Sequence, residues 1–162
     1  MAVKFTPQQQ RVIDLRGCNI LVSAAAGSGK TAVLVERIVN KVCDKNHPVD
    51  IDRLLIVTFT NAAAAEMRER IAAGISARLE KEPDSEHIQR QAALLHNAQI
   101  TTIDSFCLFL LRNHFNEIGL DPAFRIADEG EIKLMQQEVL AELLEDAYAS
   151  GEEAFRYCVE YF

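Results

Sequence analysis

Short apolar runs alternate with helical patterns along the first 127 residues of the chain. Apolar runs that are bounded by polar or glycine-containing segments predict strands at 19–23 and 54–59, and a third strand is predicted at 99–103. Each run is followed by a segment with apolar residues at helical spacing, and these segments predict helices over 30–44, 61–81 and 105–117. Strands that alternate with helices in this way are typical of a parallel sheet with right-handed crossovers. We therefore predict an α/β fold with a parallel sheet flanked by helices.

Individual residues refine this pattern. Thr6 followed by Pro7 predicts the start of a short first helix, with Thr6 as its N-cap. The run at 54–59 is apolar almost throughout, which favours a strand covered on both faces. The helix predicted over 61–81 has an apolar residue at every fourth position, which predicts a buried stripe. That stripe consists of Ala63, Met67, Ile71, Ile75 and Leu79.

The pattern becomes purely helical after Arg125. Amphipathic segments predict helices over 129–149 and 152–160. We therefore expect a domain boundary, with an α/β domain over 1–127 and the start of a helical subdomain over 128–162. The first of these helices has an apolar side formed by Ile132, Met135, Val139 and Leu143. We expect apolar surface to be exposed near Met135 and Leu143 and to favour self-association.

Charge is distributed unevenly between the two parts of the chain, whose net charge is −7. Residues 128–162 carry ten acidic and two basic side chains, a net of −8, whereas residues 1–127 carry fourteen acidic and fifteen basic side chains, a net of +1. An acidic balance usually argues against nucleic acid as a partner. Because the acidity lies almost wholly in the C-terminal part, it does not exclude nucleic-acid binding by the first 127 residues.

The sequence carries no signal of export, membrane insertion or a zinc site. Its first ten residues lack the apolar run of a signal peptide, and no stretch approaches the ~20 apolar residues that a membrane helix needs. We therefore expect a cytoplasmic protein without membrane contact. The four cysteines and four histidines are too widely spaced for a disulfide framework or a metal site, so we expect reduced thiols.

The segment AAAGSGKT at 24–31 matches the phosphate-binding pattern G-x-x-x-x-G-K-[ST] at every defined position except the first. Ala24 stands where the pattern has its first glycine. The segment follows a predicted strand and opens a predicted helix, which is the context that this loop requires. We therefore predict a phosphate-binding loop for ATP, formed by Ala24, Ala25, Ala26, Gly27, Ser28, Gly29, Lys30 and Thr31.

The residue types in this loop suit triphosphate binding. Gly27 and Gly29 permit backbone conformations that bring N–H groups close to phosphate oxygens. The helix that begins near Lys30 adds unsatisfied N–H groups and the positive end of its dipole. Lys30 is expected to reach the β- and γ-phosphates, and the Thr31 hydroxyl is expected to bind Mg²⁺. Lys30 and Thr31 are thus the candidate catalytic residues, with ATP and Mg²⁺ as cofactors.

Four sequence stretches, in a fixed order, distinguish among the protein families that contain a phosphate-binding loop. They are FTPQQQRVI at the N-terminus, SAAAGSGKTAVLVERI around the loop, IVTFTNAAAAEMRERI at 56–71 and ITTIDSFCLFLLRNHF at 100–115. Together they resemble the N-terminal part of UvrD-like superfamily 1 DNA helicases, most nearly the A subunits of AddAB-type ATP-dependent helicase–nucleases. The resemblance covers essentially the whole chain. It implies a P-loop NTPase fold, here a partial RecA-like motor lobe followed by an all-helical segment.

The resemblance implies that Gln9 contacts the adenine ring and selects ATP. A carboxamide suits this role because it can donate and accept hydrogen bonds along one edge of a base. Gln8 and Gln10 flank this position, so the alternative is that Gln9 is an ordinary surface residue of a glutamine-rich helix.

The resemblance also implies contacts to single-stranded DNA from Phe59, Thr60 and Asn61. These residues follow a predicted strand, where ligand crevices form in open α/β sheets. An aromatic side chain there can stack on a base of any identity. The alternative is that Phe59 is simply the last core residue of its strand. Where many relatives have lysine after the asparagine, this chain has Ala62, which removes one candidate phosphate contact.

Thr102 and Ser105 resemble the next DNA-contacting motif, with hydroxyls that can bond to phosphates. Relatives often have histidine before the serine, but this chain has Asp104, whose carboxylate would repel phosphate. We expect Asp104 or Ser105 to be the N-cap of the following helix instead. We also interpret Arg37 as an exposed helix position without a functional role.

ATP hydrolysis in this family requires an acidic strand end and arginines from a second lobe. The sequence contains neither a strand that ends in Asp-Glu nor a second lobe, so we interpret the chain as a fragment that binds ATP but hardly hydrolyses it. The resemblance implies a parent helicase with nuclease or exonuclease activity. That parent translocates on single-stranded DNA in double-strand-break repair and recombination, and pairs with a B-type subunit on single- and double-stranded DNA.

Two other functions remain open from the sequence. One is a stand-alone P-loop phosphotransferase, which would need its own acceptor site and a Mg²⁺-binding acid. The other is a non-catalytic module that binds single-stranded nucleic acid without ATP and in a salt-sensitive manner.

Overall fold

The computed structural model describes residues 4–161. Within this range the chain forms seven α-helices and two β-strands, and the predicted α/β class is confirmed. In chain order they are α1 (Pro7–Asp14), α2 (Lys30–Val42), β1 (Leu55–Thr58), α3 (Asn61–Lys81), α4 (Glu86–Leu94), β2 (Gln99–Thr102), α5 (Ile103–His114), α6 (Glu129–Ser150) and α7 (Glu153–Tyr161). Short 3₁₀ turns at Ile51–Arg53 and Leu95–Asn97 precede the two strands.

The two strands lie side by side and are parallel, with Leu55 opposite Gln99 and Thr58 opposite Thr102. Helices α3 and α4 form the crossover between them. Ile56 is buried, but Leu55 and Val57 remain 49% and 43% exposed. The prediction that β1 is covered on both faces is therefore wrong, because residues 4–161 supply side chains that cover only the face carrying Ile56.

The strand predicted over 19–23 is not formed. This segment is irregular, and Leu21 at its centre is 96% exposed. A strand needs a neighbour that satisfies its backbone N–H and C=O groups. In the described part of the chain, β1 and β2 pair only with each other. Residues 19–23 therefore have the apolar character of a strand but no neighbouring strand to pair with among the described residues.

The core lies where the sheet meets α2, α3 and α4. Its fully or largely buried residues are Ile38, Val42, Ile51, Ile56, Met67, Ile71, Ile75, Ile88, Ala98 and Ile100. The stripe predicted on α3 is confirmed at its three central positions, and Leu79 packs partly buried against the same cluster. Ala64 is buried, whereas Ala63 is only half-buried. The apolar stripe of α3 thus fixes this helix on the sheet.

Helices α2 and α3 approach each other closely at Gly74. A Cβ atom at this position would lie 2.6 Å from Cγ2 of Val39, so only glycine fits without a shift of the Val39 side chain or of one helix. Farther along the same pair of helices, the Arg78 guanidinium lies 2.9 Å from the Glu36 carboxylate. These contacts hold α2, the helix that begins at Lys30, against the helix that covers the sheet.

The chain divides into two compact units, the first ending at His114 and the second beginning at Phe115. The first unit contains the sheet and helices α1 to α5. The second contains α6 and α7 and no strand among its described residues, which agrees with the predicted all-helical segment. A domain boundary between residues 127 and 128 stays a prediction.

Helix α6 begins with a capping box. The Asp128 carboxylate accepts a hydrogen bond from the Glu131 N–H at 2.9 Å, and the Glu131 carboxylate accepts one from the Asp128 N–H at 3.0 Å. Met135 and Leu143 are 59% and 61% exposed, as predicted. Self-association through this surface stays a prediction. Across residues 4–161, no helix combines the length and apolar character needed to cross a membrane.

Candidate nucleotide-binding site

The loop that precedes α2 has the glycine conformations expected of a phosphate-binding loop. Gly27 and Gly29 have φ values of 76° and 80°, in the left-handed region that a residue with a Cβ rarely adopts. A Cβ at Gly29 would also meet the amide nitrogen of Gln9 at 3.4 Å. Gly29 is the N-cap of α2, and among residues 4–161 no side chain caps that helix terminus. The first-turn N–H groups of α2 therefore lack a side-chain acceptor.

The Lys30 side chain folds back over the loop. Its ammonium Nζ donates hydrogen bonds to the carbonyls of Ala24 and Ala25, both at 2.7 Å. An ammonium group has three N–H donors, so one remains after these two bonds. These bonds tie the Lys30 side chain to the first two residues of the loop. Thr31 follows in the first turn of α2 and is exposed.

Gln9 is hydrogen-bonded directly to this loop. Its amide nitrogen Nε2 donates to the Ser28 carbonyl at 3.1 Å, across 19 residues of sequence. Its carbonyl Oε1 accepts a hydrogen bond from the Thr6 N–H at 2.8 Å, which completes a capping box at the start of α1. Gln10 instead donates to the Asp14 carboxylate at 3.0 Å. The structure thus joins Gln9, rather than Gln10, to the loop.

A cavity of about 580 Å³ lies beside these groups. Its volume is within the usual range for small-molecule sites. Polar groups from α1, the loop and α2 line it together with apolar side chains from α1, α2 and the irregular segment around Leu21. The lining residues are Thr6, Gln8, Gln9, Val12, Ile20, Leu21, Val22, Ser23, Ala24, Ser28, Lys30, Val33, Leu34 and Arg37.

Arg37 is not the exposed, unassigned helix position that the sequence suggested. It is half-buried, and its Nη1 donates hydrogen bonds to the carbonyls of Val12 and Leu15, both at 2.6 Å. The prediction failed because these acceptors come from another helix. The sequence did contain one indication that Arg37 is partly buried. Arg37 stands four residues after the buried Val33 and therefore lies on the same side of α2.

The candidate DNA-contacting residues lie at the ends of β1 and β2. Phe59 directly follows β1 and is 91% exposed, so its interpretation as a core residue is wrong. Thr60 is the N-cap of α3, and its hydroxyl accepts a hydrogen bond from the Ala63 N–H at 3.2 Å. Asn61 is the first residue of α3 and is exposed. Phe59 and Asn61 are therefore accessible, whereas the Thr60 hydroxyl is already used by the helix.

Thr102 and Ser105 are adjacent in the structure. The Thr102 hydroxyl donates to Ser105 Oγ at 2.8 Å and accepts from the Ser105 N–H at 3.2 Å. Thr102 therefore caps α5, and the prediction that Asp104 or Ser105 is the cap is wrong. The helix begins two residues earlier than predicted, which moves the cap to the last strand residue. Thr102 is 7% exposed, whereas Ser105 is exposed.

Residues 4–161 contain no group of three or more His, Cys, Asp or Glu side chains placed to hold a metal ion. The exposed hydroxyl of Thr31 is the group that the sequence offers for Mg²⁺, and Asp104 lies exposed in the first turn of α5.

Comparison with known proteins gives a consistent result. Residues 5–159 match the family described as the UvrD/REP helicase N-terminal domain. The chain is 62% identical over 156 residues to the A subunit of an ATP-dependent helicase/nuclease from Lachnoclostridium phytofermentans, a match that covers 96% of this chain and 11% of that protein. The corresponding A subunits from Clostridium perfringens and Anoxybacillus flavithermus are 58% and 55% identical over 99% and 97% of this chain.

The chain spans 11% to 13% of the length of these relatives. The family match covers nearly every residue of the chain, and it includes α1, the loop that precedes α2 and the ends of both strands. The predicted resemblance to UvrD-like helicases and to A subunits of helicase–nucleases is thereby confirmed. This chain belongs to the UvrD/REP helicase N-terminal domain family.

Proposed function

We propose that this chain is the N-terminal ATP-binding segment of one subunit of an ATP-dependent DNA helicase–nuclease. The parent protein would couple ATP hydrolysis to movement along single-stranded DNA in double-strand-break repair and recombination. It would act on single- and double-stranded DNA together with a second, B-type subunit, in the cytoplasm. The family membership and the shared name of three relatives support this function over a stand-alone phosphotransferase.

The observation that carries the proposal is the hydrogen bond between Gln9 and the Ser28 carbonyl. It brings a base-binding side chain and a phosphate-binding loop to one cavity, although the two residues are 19 positions apart in the chain. A nucleoside triphosphate needs such an arrangement, because its base and its phosphates must be held at the same time. A chance GSGKT sequence in a mobile loop would not be expected to carry this contact.

The phosphate groups are assigned to the loop and to α2. The left-handed glycines turn the backbone, the first turn of α2 supplies N–H donors that no side chain caps, and the dipole of α2 favours negative charge there. The remaining N–H of the Lys30 ammonium is available to a phosphate oxygen. This set suits a polyphosphate, because an anion at a helix N-terminus is bound through several N–H groups at once.

The adenine ring is assigned to Gln9. A carboxamide has two N–H donors and a carbonyl oxygen with two acceptor sites. One donor is used on Ser28 and one acceptor site on Thr6, so one donor and one acceptor remain. The adenine edge that carries its N6 amino group and N7 is complementary to such a pair, whereas guanine presents two acceptors there. Gln9 is therefore expected to favour ATP over GTP.

When Mg²⁺ is bound with the nucleotide, Thr31 is the residue that would contact it, and the ion would neutralise phosphate charge. Because the described residues lack an acidic cluster, we expect ATP binding by this chain to exceed hydrolysis by far. Contacts to single-stranded DNA are assigned to Phe59, Thr60, Asn61, Thr102 and Ser105. Exposure favours Phe59, Asn61 and Ser105 for this role.

A comparison of ATP, ADP and AMP as ligands tests the nucleotide assignment. Each is titrated against a fluorescent ATP analogue bound to the chain. If the loop binds the β- and γ-phosphates, ATP and ADP should displace the analogue at much lower concentrations than AMP. Equal displacement by the three nucleotides would contradict phosphate binding by the loop, and no binding of the analogue would contradict the proposed function altogether.

A further inference from the structure

We propose that Arg37 is a positioning residue that determines the preference of this site for adenine. It fixes α1 against α2, and this keeps the Gln9 amide at the phosphate-binding loop. The inference rests on the proposed ATP-binding function, and it adds a specificity role for a residue that acts through the position of Gln9.

Helix α1 depends on tertiary contacts for its position. It has only eight residues, and an isolated helix of that length is not stable in water. Its one buried side chain is Ile13, which is 0% exposed. A single fully buried side chain near the C-terminal end does not by itself fix the orientation of the N-terminal end, where Gln9 lies. Other contacts must therefore set that orientation.

Arg37 provides the polar contact at the C-terminal end of α1. Its Nη1 lies 2.6 Å from the Val12 and Leu15 carbonyl oxygens and 3.4 Å from that of Ile13. The last carbonyls of a helix lack intrahelical partners and carry the negative end of its dipole, so a guanidinium there is favourable. These bonds are charge-assisted, and those to Val12 and Ile13 are partly shielded from water, which strengthens them.

Both ends of α1 are thus attached to one continuous segment of the chain. At the N-terminal end, Gln9 is bonded to Ser28, and at the C-terminal end three carbonyls are bonded to Arg37. Ser28 and Arg37 are nine residues apart, on the loop and on α2. Helix α1 is therefore attached at two points to the segment from Ser28 to Arg37, and the Arg37 contact limits how far Gln9 can move from the loop.

A change at Arg37 should therefore act on base selection more than on phosphate binding. The loop and the first turn of α2 do not depend on α1 for their donors, so the affinity for phosphates should persist. The Gln9 amide would lose its fixed orientation, and with it the hydrogen bonds that distinguish adenine from guanine. A residue that served only the stability of the fold would affect ATP and GTP equally.

Arg16 provides a matched control. Its Nη1 donates to the Leu15 carbonyl at 3.2 Å and to the Ile13 carbonyl, so it serves the same helix end as Arg37. Arg16 directly follows Leu15, the C-cap of α1, however, and its bonds link α1 to its own continuation rather than to α2. Loss of Arg16 should weaken the helix end without releasing α1 from α2.

The experiment measures the dissociation constants of ATP and GTP for the full 162-residue chain and its variants by calorimetry, with thermal unfolding as a check of folding. For Arg37→Ala we expect the ratio of GTP to ATP dissociation constants to fall about fivefold, toward that of Gln9→Ala, which corresponds to the loss of a base hydrogen bond. The GTP dissociation constant should stay within about twofold. The double variant Gln9→Ala/Arg37→Ala should show no further loss, because the two residues act through one contact.

Arg16→Ala should keep the wild-type ratio, and Arg37→Lys, which keeps a charged donor, should give a ratio between those of wild type and Gln9→Ala. If Arg37→Ala does not fold, Arg37→Lys carries the test, and a wild-type ratio in that variant would overturn the proposal. A wild-type ratio in folded Arg37→Ala, or equal weakening of ATP and GTP, would also overturn it while leaving the proposed function intact. Absence of ATP binding by the wild-type chain would instead refute the proposed function.

Discussion

Thr58 lies directly opposite Thr102 in the parallel register of β1 and β2. Both strands therefore end at the same level, although the two threonines are 44 positions apart in the sequence. Phe59 continues from one strand end, and α5 begins at the other. The two segments that resemble DNA-contacting motifs are thereby brought to one edge of the sheet, where ligand crevices form in open α/β folds.

This arrangement predicts that Phe59→Ala weakens binding of single-stranded DNA by about tenfold, because base stacking on an aromatic side chain is worth about 1–3 kcal/mol. The side chain is 91% exposed, so the variant should unfold at the wild-type temperature. Fluorescence anisotropy with a labelled oligonucleotide at low salt measures the affinity.

Leu21→Ala is the matched control for this variant, since Leu21 is 96% exposed but does not lie at a strand end. It should leave the DNA affinity unchanged. Wild-type affinity in Phe59→Ala would remove the case for a stacking residue at this position.

A second prediction concerns the close approach of α2 and α3. Replacing a glycine by alanine inside a helix normally adds up to about 1 kcal/mol of stability. At Gly74 the added Cβ would lie 2.6 Å from Cγ2 of Val39, a side chain that is only 2% exposed and has little room to move. Overpacking of this kind costs about 1–3 kcal/mol. We expect Gly74→Ala to lower the free energy of unfolding by about 1–2 kcal/mol in urea titrations.

Val39→Ala tests the cause of that loss. It removes the methyl group that the new Cβ would meet, so the double variant Gly74→Ala/Val39→Ala should lose less stability than the sum of the two single changes. Additive losses, or a Gly74→Ala variant more stable than wild type, would contradict the proposed steric contact between these helices.

Sequence patterns predicted the helices of this fold better than its strands and caps. The centre of the α3 stripe and the α1 N-cap depend on residues within one or two turns, and both are confirmed. The segment at 19–23 is apolar, but strand formation also depends on a pairing partner that a local pattern does not contain. The assignment of the α5 cap was wrong because β2 passes into α5 without a loop, so a strand residue serves as the cap.

The candidate site was predictable where its chemistry is local. The glycines, Lys30 and Thr31 are adjacent in sequence, and the motif fixes their spacing. The contact of Gln9 with Ser28 and the bonds of Arg37 to α1 arise only when two helices pack together. A single sequence gives residue types for such contacts but no distances, which is why Arg37 was missed.

A third prediction concerns the reactivity of the cysteines. Burial raises the pKa of the Cys43 thiol, and the Glu82 and Glu36 carboxylates act in the same direction against the opposing effect of Arg78. A raised pKa leaves less thiolate at a given pH, and the thiolate is the species that reacts. We expect Cys43 to be alkylated more slowly than the exposed Cys18 at about pH 8, with its rate rising at higher pH than for an unperturbed thiol.

Mass spectrometry of peptides after timed exposure to iodoacetamide gives both rates in one sample. Unfolding in urea is the control, because it should bring the two cysteines to similar rates. Faster alkylation of Cys43 than of Cys18 in the folded protein would show that its environment favours the thiolate, contrary to this expectation.

The measurement that tests the central claim most directly is calorimetric titration of the chain and its Lys30→Ala variant with ATP. The Lys30 ammonium is expected to bind phosphate through a charge-assisted hydrogen bond, whose loss costs about 1.5–3 kcal/mol. The account predicts measurable ATP binding by the wild-type chain and an affinity at least about tenfold lower for Lys30→Ala. Lys41→Ala, in the last turn of the same helix, should bind like wild type. Equal affinities of wild type and Lys30→Ala, or no binding of ATP by the wild-type chain, would contradict an ATP site at this loop.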